Sequence, residues 1–236
     1  MELTKQTIKN LKDKNYRKQH NLFLVEGEKF CRDLQKAHIE ITMTIACDER
    51  FSDFPNFELV SKRVLDSIAT TKTPQDIICV CKAKVYPIQS IGNSLILDTV
   101  QDPGNVGTLI RSAMAFGFDD VYLIDCADVY SEKVIRSSVG TVLSARVHIV
   151  NRADLIDNKE KIAKNFIVAD MIGVSIDKIH LPKGKFAVII GNEGQGVGID
   201  LVKLSEIKVS IPMTDKVESL NAGVAGSIIM QKFSEV

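Results

Sequence analysis

The sequence predicts an α/β protein in two parts: a small α/β unit, then a mostly parallel sheet interleaved with helices. Three observations carry this. After residue 94, short apolar runs bounded by turn residues alternate with stretches of helical length. The first of these runs, Ser94-Leu-Ile-Leu-Asp98, reads as a strand buried on both faces, as in parallel sheets. Before it, Tyr86-Pro-Ile-Gln-Ser-Ile-Gly-Asn93 has linker composition and separates residues 1–88 from 94–236.

The first part begins with residues 1–20, read as one polar helix. Asn21-Leu-Phe-Leu-Val25 is a short buried strand, and residues 26–37 place Phe30, Leu34 and Ala37 at helical spacing. Residues 40–46 alternate as a strand does, residues 57–60 form another, and Ser61 is the expected cap of a helix reaching Ala69. A loop over Thr71–Asp76 leads into a strand over 77–85. In the second part, strands are expected at 94–98, 121–124, 147–150, 166–169, 185–190 and 207–211. Helices are expected at 105–116, 131–144, 153–164 and 219–233.

At 236 residues, 45% hydrophobic and 25% charged, the composition is that of an ordinary globular protein. No apolar run approaches the roughly 18 residues of a membrane span. The polar N-terminus lacks the apolar core of a secretion signal. Five cysteines and four histidines without metal-ligand spacing predict no metal site and read as reduced thiols of a cytoplasmic protein. Net charge is zero, but Lys5, Lys9, Lys12, Lys14, Arg17 and Lys18 cluster in the first 18 residues. That patch is either a phosphate-binding surface or a solvated helix face.

Three segments carry candidate chemistry. In the first, Asp102-Pro-Gly104 turns the chain at the carboxyl end of a strand, where open α/β sheets bind ligands. Asn105 is placed to cap the helix that follows, and Gly117 to stop it. Gly107 in the first turn suggests a close approach to the backbone. Arg111, among apolar neighbours, either snorkels to the surface or enters a pocket, where its guanidinium would suit a phosphate. In the second, a buried strand runs into Gly191-Asn-Glu-Gly-Gln-Gly-Val-Gly198, whose backbone groups are free to meet a ligand. Only 38 residues follow Gly198, too few for the βα units a nicotinamide site requires. In the third, Pro212 ends a strand and Ser219 is a natural cap for a last helix rich in small residues. Those small residues serve helix packing within the monomer, a dimer seam or a cofactor wall.

Together these segments resemble the SpoU (TrmH-like) branch of the SPOUT methyltransferase superfamily. Asn105-x-Gly107-x-x-x-Arg111 is similar to its first motif, Gly191-Asn-Glu-Gly194-x-Gly196 to its second, and Ile211-Pro-Met213 with Ser219-Leu-Asn221 to its third. Residues 5–85, with Tyr16-Arg-Lys, Phe23-Leu-Val-Glu-Gly-Glu28 and Thr73-Pro-Gln75, are similar to the family's L30e-like substrate-binding domain. The resemblance implies an α/β fold with a C-terminal trefoil knot, a homodimer with the active site near its seam, and an RNA substrate, ribosomal before transfer RNA. It implies S-adenosylmethionine held by Gly191, Asn192, Gly196, Ile211, Met213 and Leu220. Asn105, Arg111, Glu193, Ser219 and Asn221 fall where the family keeps polar active-site residues. The basic patch then reads as an RNA contact. The chain departs from the family at Ala222-Gly223, where Val-Ser is common, and in lacking a proline near Ala145-Arg-Val147.

The implied reaction is methylation of a ribose 2′-hydroxyl. No histidine lies in the three motifs, and arginine, with a pKa above about 12, is a poor base. Arg111 is therefore assigned to phosphate contact and charge stabilisation, and Asn105 and Glu193 to orienting the ribose. The competing expectations are a catalytically inactive RNA-binding homologue and a base methyltransferase of the same superfamily.

Overall fold

The computed structural model describes residues 3–205 and 207–234. It divides into two units: residues 1–84 with 130–136, and residues 85–129 with 137–236.

The first unit contains α1 (Lys5–Asn10), α2 (Lys14–His20), β1 (Leu22–Glu26), α3 (Glu28–Lys36), β2 (Ile41–Ala46), β3 (Phe57–Leu59), α4 (Lys62–Ile68) and β4 (Ile77–Lys82). Its sheet has the order β1-β4-β2-β3, with β4 antiparallel to both neighbours and β2 parallel to β3. The single helix expected over residues 1–20 is two. Leu11 turns inward to join Ile8, Leu65, Ile68 and Val80 in the core, and Asp13 restarts the helix by accepting from the Tyr16 amide at 2.9 Å. Ser61 stands at the N-cap position of α4, but its side chain makes no capping hydrogen bond. Of the basic patch, Lys5, Lys12, Lys14 and Lys18 are exposed, whereas Arg17 donates to the Leu11 carbonyl at 2.6 Å.

The chain continues with β5 (Asn93–Asp98), α5 (Pro103–Ala115), β6 (Phe118–Ile124), α6 (Glu132–Ser137), β7 (Arg146–Val150), α7 (Arg152–Asp157), α8 (Lys159–Ile162), β8 (Asn165–Ser175), β9 (Phe186–Ile190), α9 (Ile199–Val202), β10 (Ile207–Ser210) and α10 (Ala222–Phe233), all of which except α6 lie in the second unit. Most of α6 clusters with the first unit. The six strands are parallel throughout, in the order β10-β8-β9-β5-β6-β7. Central β5 and β9 are buried almost residue for residue, as their unbroken apolar runs require. Ile96, Tyr122, Leu155, Phe166, Ile189 and Leu201 build one core of this unit.

Several boundaries differ from expectation for local reasons. The helix expected over 131–144 ends at Ser137, because Val139 and Gly140 both adopt positive φ. That expected over 153–164 breaks at Asn158, whose amide donates to the Asp154 carbonyl. β8 runs to Ser175, well past Ala169, because β10 pairs along it.

Candidate active site

The site forms where the carboxyl ends of β5, β9 and β10 and the middle of β8 meet the first turns of α5 and α10. Asp102, not Asn105, caps α5: its carboxylate accepts from the Asn105 amide at 2.9 Å, and Pro103 takes the first helical position. Proline suits that position because its missing N–H would be unpaired there anyway. The Asn105 side chain is thereby free, and its Nδ2 donates to Glu193 Oε1 at 2.7 Å. Gly107 is small because of the chain's own packing. A Cβ there would lie 1.9 Å from Ser137 Oγ and 2.8 Å from the Ser138 nitrogen.

After β9 the chain closes on itself. Asn192 and Gly196 exchange backbone hydrogen bonds of 3.1 and 2.9 Å, and Gly196 holds φ at +70°. A Cβ on Gly191 would fall 2.3 Å from the Gly196 carbonyl carbon and 2.4 Å from the Val197 nitrogen, so only glycine fits. Asn192 is the scaffold of this loop: Oδ1 accepts from the Gly194 and Gln195 amides, and Nδ2 donates to the Thr99 carbonyl at 2.9 Å. At the far end, Asp98 accepts from the Gly198 amide at 2.7 Å and from Arg152 at 2.6 Å. The glycine loop is thus pinned at both ends to the chain at the end of β5.

Asn221, not Ser219, caps α10, accepting from the Val224 amide at 3.2 Å. A Cβ on Gly223 would lie 3.1 Å from both Asn105 Oδ1 and Asn221 Oδ1, so the two asparagines converge on the first turn of α10. The small residues of α10 serve the packing of α5 against it. A Cβ on Gly226 would meet Leu109 Cδ2 at 2.3 Å, and Ser112 and Ser227 share a 2.7 Å hydroxyl contact. Ala222 and Ala225 also wall the cavity.

That cavity has a volume of about 380 Å³, within the size range of small-molecule sites. Gly191, Asn192, Gly196, Ile211, Met213 and Leu220 all line it, as do Glu193 and Ser219. Asn105 reaches it through Glu193, and Asn221 sits beside it at the cap. Arg111 stands apart, on the exposed face of α5, with no hydrogen bond or ion pair among the described residues. The motif reading missed one wall, formed by Val168, Ala169, Asp170 and Met171 in the middle of β8, where its pairing with β9 ends. The signal was present: Asp170 is an acidic residue directly after the strand expected over 166–169, at the ligand-binding edge. The Ile172 amide and the Lys208 ammonium hold the Asp170 carboxyl below the usual carboxylate range. No group of His, Cys, Asp and Glu among the described residues could hold a metal ion.

A model of the SpoU rRNA methylase family matches residues 92–231, and one of the MRM3-like substrate-binding domain matches residues 5–79. The chain is 32% identical to the 23S rRNA (guanosine(2553)-2′-O)-methyltransferase RlmP of Bacillus subtilis, over 95% of this chain and 96% of that one. It is 28% identical to an uncharacterized tRNA/rRNA methyltransferase of Synechocystis, over 88% of this chain and 77% of that one. A putative RNA methyltransferase of the TrmH family from Porphyromonas gingivalis superposes with a TM-score of 0.87 at 26% identity, covering 99% of both chains. An AdoMet-bound rRNA methyltransferase from Sinorhizobium meliloti superposes with the same TM-score at 23% identity, over 97% of this chain and 92% of that one, and shares the fold. The pattern of motifs, the parallel sheet and these matches agree, and the chain belongs to the SpoU rRNA methylase family.

Proposed function

We propose that this chain transfers a methyl group from S-adenosylmethionine to a ribose 2′-hydroxyl of ribosomal RNA. The observation that carries this is one cavity, at the carboxyl edge of a parallel sheet, gathering residues from the glycine loop, the end of β10 and the approach to α10. Its likeness to a 23S rRNA 2′-O-methyltransferase along nearly the whole chain supports the choice of acceptor.

The residues present fit the cofactor. Ile190, Ile211, Leu220 and Ile229 give apolar walls for an adenine ring, and Gly191, Gly194 and Gly196 of the tightly folded loop offer peptide groups that no side chain of their own covers. When bound, S-adenosylmethionine supplies an electrophilic methyl group on a sulfonium. Glu193, held by Asn105, and Ser219 stand on the polar side of the cavity and orient the acceptor ribose. Asn221 fixes the first turn of α10, and with it the position of Leu220. Arg111 contacts an RNA phosphate rather than acting as a base, because a guanidinium keeps its proton at neutral pH. Holding two substrates in one geometry supplies much of the rate.

The active form is a homodimer. α5 and α10, packed together, leave Met114, Val224 and Ile228 exposed, and Arg111 lies one turn from Met114 on α5. A twofold seam over these helices covers the apolar side chains and carries Arg111 toward a partner's cavity. Residues 211–221, returning from edge strand β10 to α10, are read as the segment threaded in a trefoil knot. Residues 1–88, with the N-terminal basic patch, bind the RNA, and residues 94–236 carry the reaction. No helix among the described residues is long and apolar enough to cross a membrane, and the protein works in the cytoplasm.

The experiment compares ribosomal and transfer RNA from cells with and without the gene by alkaline-cleavage mapping. One ribosomal nucleotide should resist cleavage only when the gene is present. A modified nucleotide that still cleaves, or one confined to transfer RNA, contradicts the proposal.

A further inference from the structure

The wall formed by β8 has a construction of its own. β8 pairs with β9 through Asn165–Val168 and with the start of β10 at Ile207 and Lys208. The next β10 residue, Val209, pairs with Val174, so residues 169–173 bulge from the strand between two consecutive partners. Gly173 lets the bulge fold back onto β10: a Cβ there would lie 2.8 Å from the Lys208 carbonyl and 2.9 Å from the Val209 carbonyl carbon. Asp170 is fixed inside it. One carboxylate oxygen accepts from the Ile172 amide at 3.0 Å and the other from Lys208 Nζ at 3.1 Å.

We infer that Asp170 is the residue that holds the ribose hydroxyls of the cofactor, a reading that rests on the cavity being the S-adenosylmethionine site. Among the described residues two carboxylates line the cavity, Asp170 and Glu193. They differ in what already neutralises them. Lys208 offsets the charge of Asp170, whereas Glu193 is bonded to the uncharged Asn105 amide. An ionised carboxylate offers about four lone-pair positions. Asp170 has two engaged and keeps acceptor capacity for hydroxyl donors, with little net charge left to attract a cation. The Ile172 amide and Lys208 keep it ionised, and so a pure acceptor. It stands two residues past Val168, where the pairing of β8 with β9 ends, on the edge of the sheet at which nucleotide-binding folds put the carboxylate that takes a ribose diol.

The test is calorimetric binding of S-adenosylhomocysteine, its 2′-deoxyribose analogue and 5′-methylthioadenosine to the full chain and to Asp170→Ala and Asp170→Asn. The parent should bind the deoxy analogue roughly tenfold or more weakly than S-adenosylhomocysteine. Asp170→Ala should weaken S-adenosylhomocysteine by a similar factor and abolish the discrimination between the two. The effect should persist with 5′-methylthioadenosine, which has no ammonium group. A parent that binds both nucleosides equally overturns the inference, and needs no variant to fold. So does an Asp170→Ala or Asp170→Asn protein that still discriminates fully. An effect that vanishes with 5′-methylthioadenosine also overturns it, by assigning Asp170 to the ammonium. A parent that binds neither S-adenosylmethionine nor S-adenosylhomocysteine withdraws the cofactor reading itself, and this inference with it.

Discussion

Asn105 Nδ2 donates to Glu193 Oε1 at 2.7 Å, across 88 residues of sequence. The bond ties the first turn of α5 to the glycine loop after β9 and fixes a carboxylate at the cavity wall. It exists because Asp102 caps α5 and leaves the Asn105 side chain free.

If Glu193 orients the acceptor, its geometry matters more than its charge. Asn105→Ala should lower kcat by about ten- to a hundredfold with a small change in the cofactor Kd. Glu193→Gln retains an acceptor for the Asn105 amide and should lose less than Glu193→Ala. Single-turnover methyl transfer checks the order of the three variants. Equal losses in both Glu193 variants would show that charge, not position, is what counts.

Arg111→Ala should abolish transfer and leave S-adenosylmethionine binding nearly intact, because Arg111 is exposed on α5 and outside the cavity of its own chain. Calorimetry and a transfer assay on the same preparation separate the two effects. A variant with near-parental rates would remove Arg111 from the reaction.

The pins of the glycine loop should be as important as the loop. Asp98 is buried, with Arg152 and the Gly198 amide as partners. Removing it leaves a guanidinium without its carboxylate, so Asp98→Ala should cost about 3 kcal/mol by urea unfolding and weaken cofactor binding. Gly191→Ala should abolish binding, since its Cβ meets backbone. Gly226→Ala should be milder, since its Cβ meets the end of a flexible leucine side chain.

A second buried cluster lies away from the cavity. Asp120 accepts from Arg146 Nε at 2.9 Å, from His148 Nε2 at 2.8 Å and from the Ile91 amide at 2.8 Å. Burial pushes the Asp120 carboxyl up, but bonds from His148, Ile91 and Arg146 outweigh it and hold the pKa below the usual range. A carboxylate with a depressed folded-state pKa contributes stability that is full above its unfolded value, near 3.9, and is lost as pH falls through the folded value. Asp120→Asn should therefore cost about 3 kcal/mol near neutrality, and the gap to the parent should narrow below about pH 4. Urea titrations across that range decide it; a gap that stays constant with pH would exclude this origin.

Much of this architecture was legible because it depends on local pattern. β5 and β9 are unbroken apolar runs, and the glycines after β9 announce a tight loop. What was hidden depends on tertiary partners. The break between α1 and α2 follows from Leu11 turning into the core. Asp102 and Asn105, like Ser219 and Asn221, are both capping types within a few residues of each other, and Pro103 and the cavity decide between them. The bulge carrying Asp170 arises from its pairing with β10, which no periodicity in residues 169–175 reveals. Asp120 and His148 lie on neighbouring strands 28 residues apart, so their pairing needs the sheet.

The most direct measurement incubates purified protein with ribosomal RNA and methyl-labelled S-adenosylmethionine, then digests the RNA to nucleosides. The label should appear in a single 2′-O-methylated nucleoside. Label in a base-methylated nucleoside, or none in RNA under conditions where the protein binds the cofactor, would contradict the account.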